Sequence, residues 1–383
     1  MTHNGSPRVR FDRNEFSGAF GDLGTDFPLI VGMILAADLN PAAVLVMFGA
    51  MQVLTGLVYG IPMPVQPLKA MAVLVITQQV SGTVLYGGGL AIGIVMLALV
   101  ASGLIDALAR VIPKSVVRGI QLGLGLQLSI LALKDYLPAE GAAGYALGAV
   151  TFAVVVLLLG NRRFPPALFA IALGLAYALI WRVNIGALAG SAGLFLPHWR
   201  VPSRADVWTG FIMLAIPQIP LSLGNSILAT QQIATDLFPH RRFTVRRIGL
   251  TYAVMNLVNP FFGGVPTCHG SGGMAGHYAF GGRTGGSVIL YGSMFLAIGL
   301  FLATGFQQVI YLFPKPVLGV ILLFEALTLM VLVRDTTSVK AEFSIMVLVG
   351  LLAVSLPYGY VVGLVVGALL AHLVKRGVTG LAR

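Results

Sequence analysis

Apolar runs long enough to cross lipid follow one another along almost the whole chain, and the few charges collect between them. That pattern constrains the fold more than any other feature. A helix needs about 20 apolar residues to cross the hydrocarbon core, and only an element that bonds its own backbone groups can make the crossing. The runs parse as about fourteen spans, at 16–38, 41–60, 64–80, 84–109, 115–133, 143–160, 165–181, 207–235, 247–263, 268–281, 285–305, 317–333, 342–356 and 358–374. Charged residues make up 10% of the chain, against about a quarter in ordinary soluble proteins, too few to cover even one water-facing domain. The reading is an all-α polytopic membrane protein, with residues 1–383 as a single transmembrane domain embedded in a lipid bilayer.

The net charge of +11 would suggest a nucleic-acid partner in a soluble protein. In a membrane protein it is first a statement about sidedness, because cytoplasmic loops accumulate Lys and Arg. With a cytoplasmic N-terminus, the loops facing inward hold 18 of the 24 basic residues, among them Arg8, Arg110, Arg162, Arg163, Arg241, Arg242, Arg246, Arg247 and Arg383. The outward loops hold five, Lys134, Arg182, Arg200, Arg204 and Lys315. The bias places both termini in the cytoplasm, in an inner or plasma membrane, and accounts for the charge without nucleic acid. The polar start, with Arg8, Arg10 and Arg13, carries no targeting signal. A single cysteine permits no internal disulfide, the histidines lack ligand spacing, and no Walker-type phosphate loop occurs. No metal, no cofactor and no catalytic residue is expected.

Two spans are short and are entered through broken backbone: Gly60-Ile-Pro-Met-Pro-Val-Gln-Pro67 before 64–80, and Gly263-Gly-Val-Pro-Thr-Cys-His-Gly270 before 268–281. Proline removes a donor and keeps the residue before it out of the α conformation, so each stretch should run extended, with a helix starting part way across. Irregular backbone at that depth is tolerated where it lines a cavity, and paired interruptions in two halves mark a transporter binding site. Gly60-Ile-Pro62 follows the Gly21 to Gly24 element much as Gly264-Val-Pro266 follows Pro217 to Pro220. The halves, 15–185 and 207–376, hold seven spans each. Seven is odd, so the second half enters from the opposite side and the repeat is inverted.

Two helix N-termini meeting near the midplane present unbonded N–H groups and positive dipole ends, an anion site. Gln66, Lys69, His269, Gly270 and Ser271 lie at these two starts. A lysine deep in a span is costly and faces a cavity or a counter-ion; Lys69 either attracts an anion or pairs with an aspartate. Asp22 and Asp26 share one helix face and, with Thr25 between them, are candidates for coupling a proton or sodium or for lining the pocket. Glu325 is a further acid within a span, read as structural or at a domain interface. Pro217 and Pro220 should break the eighth span near its middle and direct Gln218, Ser222 and Asn225 toward the cavity. His269 is either a pocket donor or a satisfied core histidine, and Cys268 either packs or touches the ligand.

Four blocks together carry a resemblance: Phe20-Gly-Asp-Leu-Gly-Thr-Asp-Phe-Pro28, Gly60 to Lys69, Ala215-Ile-Pro-Gln-Ile-Pro-Leu-Ser-Leu-Gly-Asn225 and Pro266 to Arg283. In this order they resemble the signature blocks of the molybdate transporter family, within the sulfate permease superfamily and related in fold to uracil permease. The resemblance implies a seven-plus-seven inverted repeat, a core of spans one to four and eight to eleven moving against a gate of the rest, and molybdate held between spans three and ten. By the motif match, the backbone around Gln66 and from His269 to Ser271 would bind it, with the side chains of Gln66, Lys69 and Gln218. The family also suggests a homodimer and no cytoplasmic regulatory domain. The expected function is secondary-active import of molybdate. The rivals are sulfate, tungstate or another oxyanion, a passive anion channel, and a membrane enzyme using Cys268 and His269.

Overall fold

The computed structural model describes residues 9–105, 107, 112–159, 166–182, 193–302, 313–376 and 378. Arg8, Arg110, Arg162, Arg163 and Arg383, part of the charge bias above, lie outside these residues, as do the ends of several expected spans. In the first half a short α1 (Arg13–Gly18) leads into α2 (Leu23–Ala37), α3 (Pro41–Tyr59), a two-residue β1 (Gln66–Pro67), α4 (Lys69–Gln78) and α5 (Gly82–Ser102). Next come α6 (Lys114–Leu131), α7 (Gly141–Leu158) and α8 (Pro166–Trp181). The second half has α9 (Arg204–Leu237), α10 (Val245–Val258), β2 (Thr267–Cys268), α11 (Ser271–Ala279) and α12 (Gly286–Phe301). It ends with α13 (Lys315–Val331), α14 (Lys340–Ser355) and α15 (Gly359–Lys375).

Most of these helices are apolar along their length, and among the described residues five helical stretches are long and apolar enough to cross a membrane. Many large apolar side chains point outward, Leu157 at 82% exposure and Leu369 at 60% among them. A surface of that kind belongs in lipid rather than water.

Two local differences from the sequence reading have physical causes. The run expected at 16–38 is divided, because Asp12 caps the separate α1 through the amides of Asn14 and Glu15. In the turn that follows, Gly21 lies flat against the backbone of Gly276 and His277, where a Cβ would collide. Glu15, at the end of that arrangement, is 1% exposed and accepts the amides of Arg283, Thr284 and Ser287, so the N-terminal element fastens the entry to α12. Secondly, α9 is not broken at its prolines. It widens into π turns at Phe211–Ala215 and Ser222–Leu228, which absorb the missing donors of Pro217 and Pro220 without interrupting the helix.

The helices pack in two groups. In one, α3 lies along α12, α5 along α10 and the start of α9, α2 against α4, and the end of α9 against α11; in the other, α6 packs on α14 and α13, α14 on α15, and α7 on α13 and α8. The groups meet through α2, α4 and α9 on one side and α6, α8, α13 and α15 on the other.

Candidate functional site

The extended segments pair antiparallel, Gln66 opposite Cys268 and Pro67 opposite Thr267, so α4 and α11 begin side by side and run apart. Each segment is held by an amide side chain from the helix before it. Gln52 of α3 donates Nε2 to the Val65 carbonyl at 2.7 Å and accepts the Val65 amide at 3.0 Å. Asn256 of α10 does the same to Thr267, at 2.6 and 3.0 Å. Both amides are fully buried, and each supplies the backbone partners that the prolines and the short strands leave missing.

Around this crossing is a cavity of about 340 Å³. Its wall brings together nearly every residue singled out from sequence: Asp22 and Thr25 of α2, Gln66 and Lys69, Gln218 and Asn225 of α9, and the run Cys268 to Gly272. Ser222 and Asp26 are the exceptions: Ser222 is fully buried with its hydroxyl bonded to Gln218 and Tyr252, and Asp26 also lies off the wall. Asp26 is fully buried behind it, where the Tyr291 hydroxyl donates to Oδ2 at 3.2 Å. Three residues of the opposite packing group, Glu325, Leu329 and Leu332, close the cavity.

The two helix starts are not equivalent. Gln218 Oε1 accepts the amides of Ala70 and Met71 at 2.9 and 3.3 Å, capping α4, while its Nε2 donates to the Ser222 hydroxyl. Both ends of that side chain are therefore engaged by protein. At α11 the N-cap is Gly270, which has no side chain to cap the end; among the described residues no other side chain accepts from its first amides, and the first helical bond runs from the Met274 amide to the Gly270 carbonyl. The amides of Ser271, Gly272 and Gly273 thus have no intrahelical acceptor, and a Cβ at Gly272 would meet open space. This is the end that faces the cavity as a donor cluster.

Gln66 donates Nε2 to both oxygens of the Asp22 carboxylate, at 2.7 and 2.8 Å. The pair presses so closely on α11 that a Cβ on Gly270 would fall on Gln66 and one on Gly273 on Asp22; glycine is the residue that permits the approach. Lys69 pairs with neither aspartate. Its Nζ lies 3.6 Å from Glu325 Oε2, longer than a direct hydrogen bond, and among the described residues it has no hydrogen-bond partner. The His269 Nδ1 faces the Pro64 carbonyl at 3.1 Å and Nε2 the Thr251 hydroxyl at 2.7 Å. A carbonyl only accepts, so Nδ1 carries the proton; the imidazole is a brace between segments, and the backbone of His269 is what remains for the cavity. Sequence reasoning left Glu325 outside the site and missed Gln52, Asn256 and Tyr291. The first braces an extended segment from a span with no irregularity of its own, which gives no local signal.

Chemically the wall offers the backbone amides of Ser271 and Gly272, one ammonium and the Ser271 hydroxyl, enough to coordinate an oxyanion from several sides. Two carboxyl groups, Asp22 and Glu325, and one amine, Lys69, share the wall.

The family model described as "Molybdate transporter of MFS superfamily" matches residues 14–128 and 210–329, which include all the pocket residues except Leu332. Molybdate transporter 1 of Arabidopsis thaliana is 33% identical over 93% of this chain and 87% of its own length. Molybdate transporter 2 of the same plant is 33% identical over 87% and 82%. Among solved structures, SLC26A9 superposes with a TM-score of 0.72 at 15% identity, over 94% of this chain and 65% of that one. The transmembrane domain of the cyanobacterial bicarbonate transporter BicA gives 0.65 at 15% identity, over 95% and 98%. The chain spans 65% of the SLC26A9 chain and shares its fold over that part, and by the family match and the identity to both plant proteins it belongs to the molybdate transporter family.

Proposed function

We propose that the protein is a secondary-active transporter that imports molybdate across an inner or plasma membrane by alternating access. The observation that carries this reading is the uncapped start of α11 beside Lys69, in a cavity shared by the two packing groups. The group of α2 to α5 with α9 to α12 acts as a core that moves against a gate of α6 to α8 with α13 to α15. Fourteen crossings in two inverted halves of seven are supported by how the helices pair. Exchanging each helix of one half for its counterpart in the other turns the α3–α12 contact into α10–α5, and α2–α4 into α9–α11. The matched amide clamps of Gln52 and Asn256 support it too.

Import of a dianion against a negative cytoplasm is opposed by about 2.3 kcal/mol per charge for each 100 mV, so a coupled cation is needed. With two carboxyl groups and one amine in its wall, the pocket has an acid available to take one up with the substrate. Asp22, which lines the cavity, is the coupling candidate, and proton and sodium are the candidate ions. Binding competition in the purified protein tests the substrate: molybdate should displace a bound oxyanion at lower concentration than sulfate, and displacement by sulfate alone would refute the assignment.

A further inference from the structure

The acid nearest to Lys69 is not on its own packing group. Glu325 projects from α13, is 11% exposed, and is the charged residue that the opposite group contributes to the cavity wall. Its carboxylate is the anionic group that faces the ammonium while the cavity holds no ligand. The separation of 3.6 Å marks an ion pair without the short contact that makes charge-assisted bonds strong. The pair therefore joins the two groups across the cavity, yet gives way to a ligand that reaches the ammonium directly and also accepts from the amides of Ser271 and Gly272.

The geometry points to Glu325 as an internal competitor for the oxyanion, a latch that ties α13 to the start of α4 while the site is empty and is released when an oxyanion takes Lys69. This rests on the reading of the cavity as an oxyanion site. Occupancy then changes how the groups are held together, because the ligand removes the one ion pair among the described residues that bridges them inside the cavity. A ligand shifts a conformational equilibrium only through differential interaction with its states, and the exchange of one anion for another at Lys69 is such a difference. Leu329 and Leu332, beside Glu325 in the wall, offer no replacement charge.

Two readouts on the full-length protein in detergent or vesicles test this. Glu325→Gln keeps the size of the side chain and removes the competing charge, so molybdate affinity should rise about fivefold or more. In a Lys69→Ala background the same substitution should leave affinity unchanged, since nothing remains to compete for. Independently of any ligand, Cys268 is the chain's single cysteine and lines the cavity; its labelling by a small thiol-specific reagent should be faster in Glu325→Gln than in the unsubstituted protein. Unchanged affinity and unchanged labelling in a folded Glu325→Gln protein would overturn the latch. Faster labelling with no molybdate binding in any variant would keep the latch and reject the substrate, so the two claims fail separately. Glu325→Ala serves as the second variant, with the same expected signs.

Discussion

Lys69 is the residue on which the site depends. A half-buried ammonium whose counter-ion stands at 3.6 Å retains donors for a ligand, and loss of one charge-assisted hydrogen bond is worth about 1.5 to 3 kcal/mol. Lys69→Ala should therefore weaken molybdate binding about tenfold or more, as measured by calorimetry on the purified protein. The glycines of α11 make a sharper comparison because neighbouring positions should behave differently. Gly270→Ala and Gly273→Ala force a methyl into Gln66 and Asp22, and overpacking of this kind costs about 1 to 3 kcal/mol. Gly272→Ala meets nothing, so its melting temperature should stay near that of the parent while those of the other two fall. Lys69, Gln66 and Asp22 were legible in the sequence because a charge or amide in an apolar run is conspicuous. The partner of Lys69 was not, since Glu325 lies more than 250 positions away and only the packing of α13 on α2 and α6, the helices that also pack on α4, brings the two together.

At the scale of elements, two short helices depend on side chains from elsewhere. Gln218 caps α4 from the π-widened middle of α9. Gln218→Leu should destabilise the protein by about 1 kcal/mol, in line with the loss of a helix cap, read as a lower midpoint of thermal unfolding. Its effect on affinity should be smaller than that of Lys69→Ala, since Gln218 is spent on the helix and not on the ligand. The clamps of Gln52 and Asn256 are the stronger contributors. Replacing either by Leu leaves a buried N–H and C=O without partners at about 1 to 3 kcal/mol each, so both variants should unfold at clearly lower temperature, and by similar amounts, as equivalent positions of a repeat would. The prolines made the extended segments visible in the sequence but not what holds them. Prolines misled for α9, where Pro217 and Pro220 suggested a break; π turns on either side of them accommodate the missing N–H groups with the chain still helical.

The whole molecule is a pair of packed helix groups with the candidate site between them. Coupled transport against the membrane potential predicts that molybdate accumulation in vesicles collapses when an ionophore dissipates the driving gradient, whereas a passive channel would continue to equilibrate. The fold class was legible as soon as the apolar runs were counted, because span length and scarcity of charge are properties of local sequence. The division into groups was available only through the family resemblance, for it rests on which helices touch, and neither hydropathy nor charge encodes that. The central claim, an oxyanion seated between Lys69 and the start of α11, is open to direct inspection. Molybdenum scatters X-rays strongly and anomalously, so a crystal of the protein grown with molybdate should give an anomalous peak within hydrogen-bonding reach of the Lys69 ammonium and the amides of Ser271 and Gly272. A peak elsewhere in the molecule, with that cavity empty, would contradict the account.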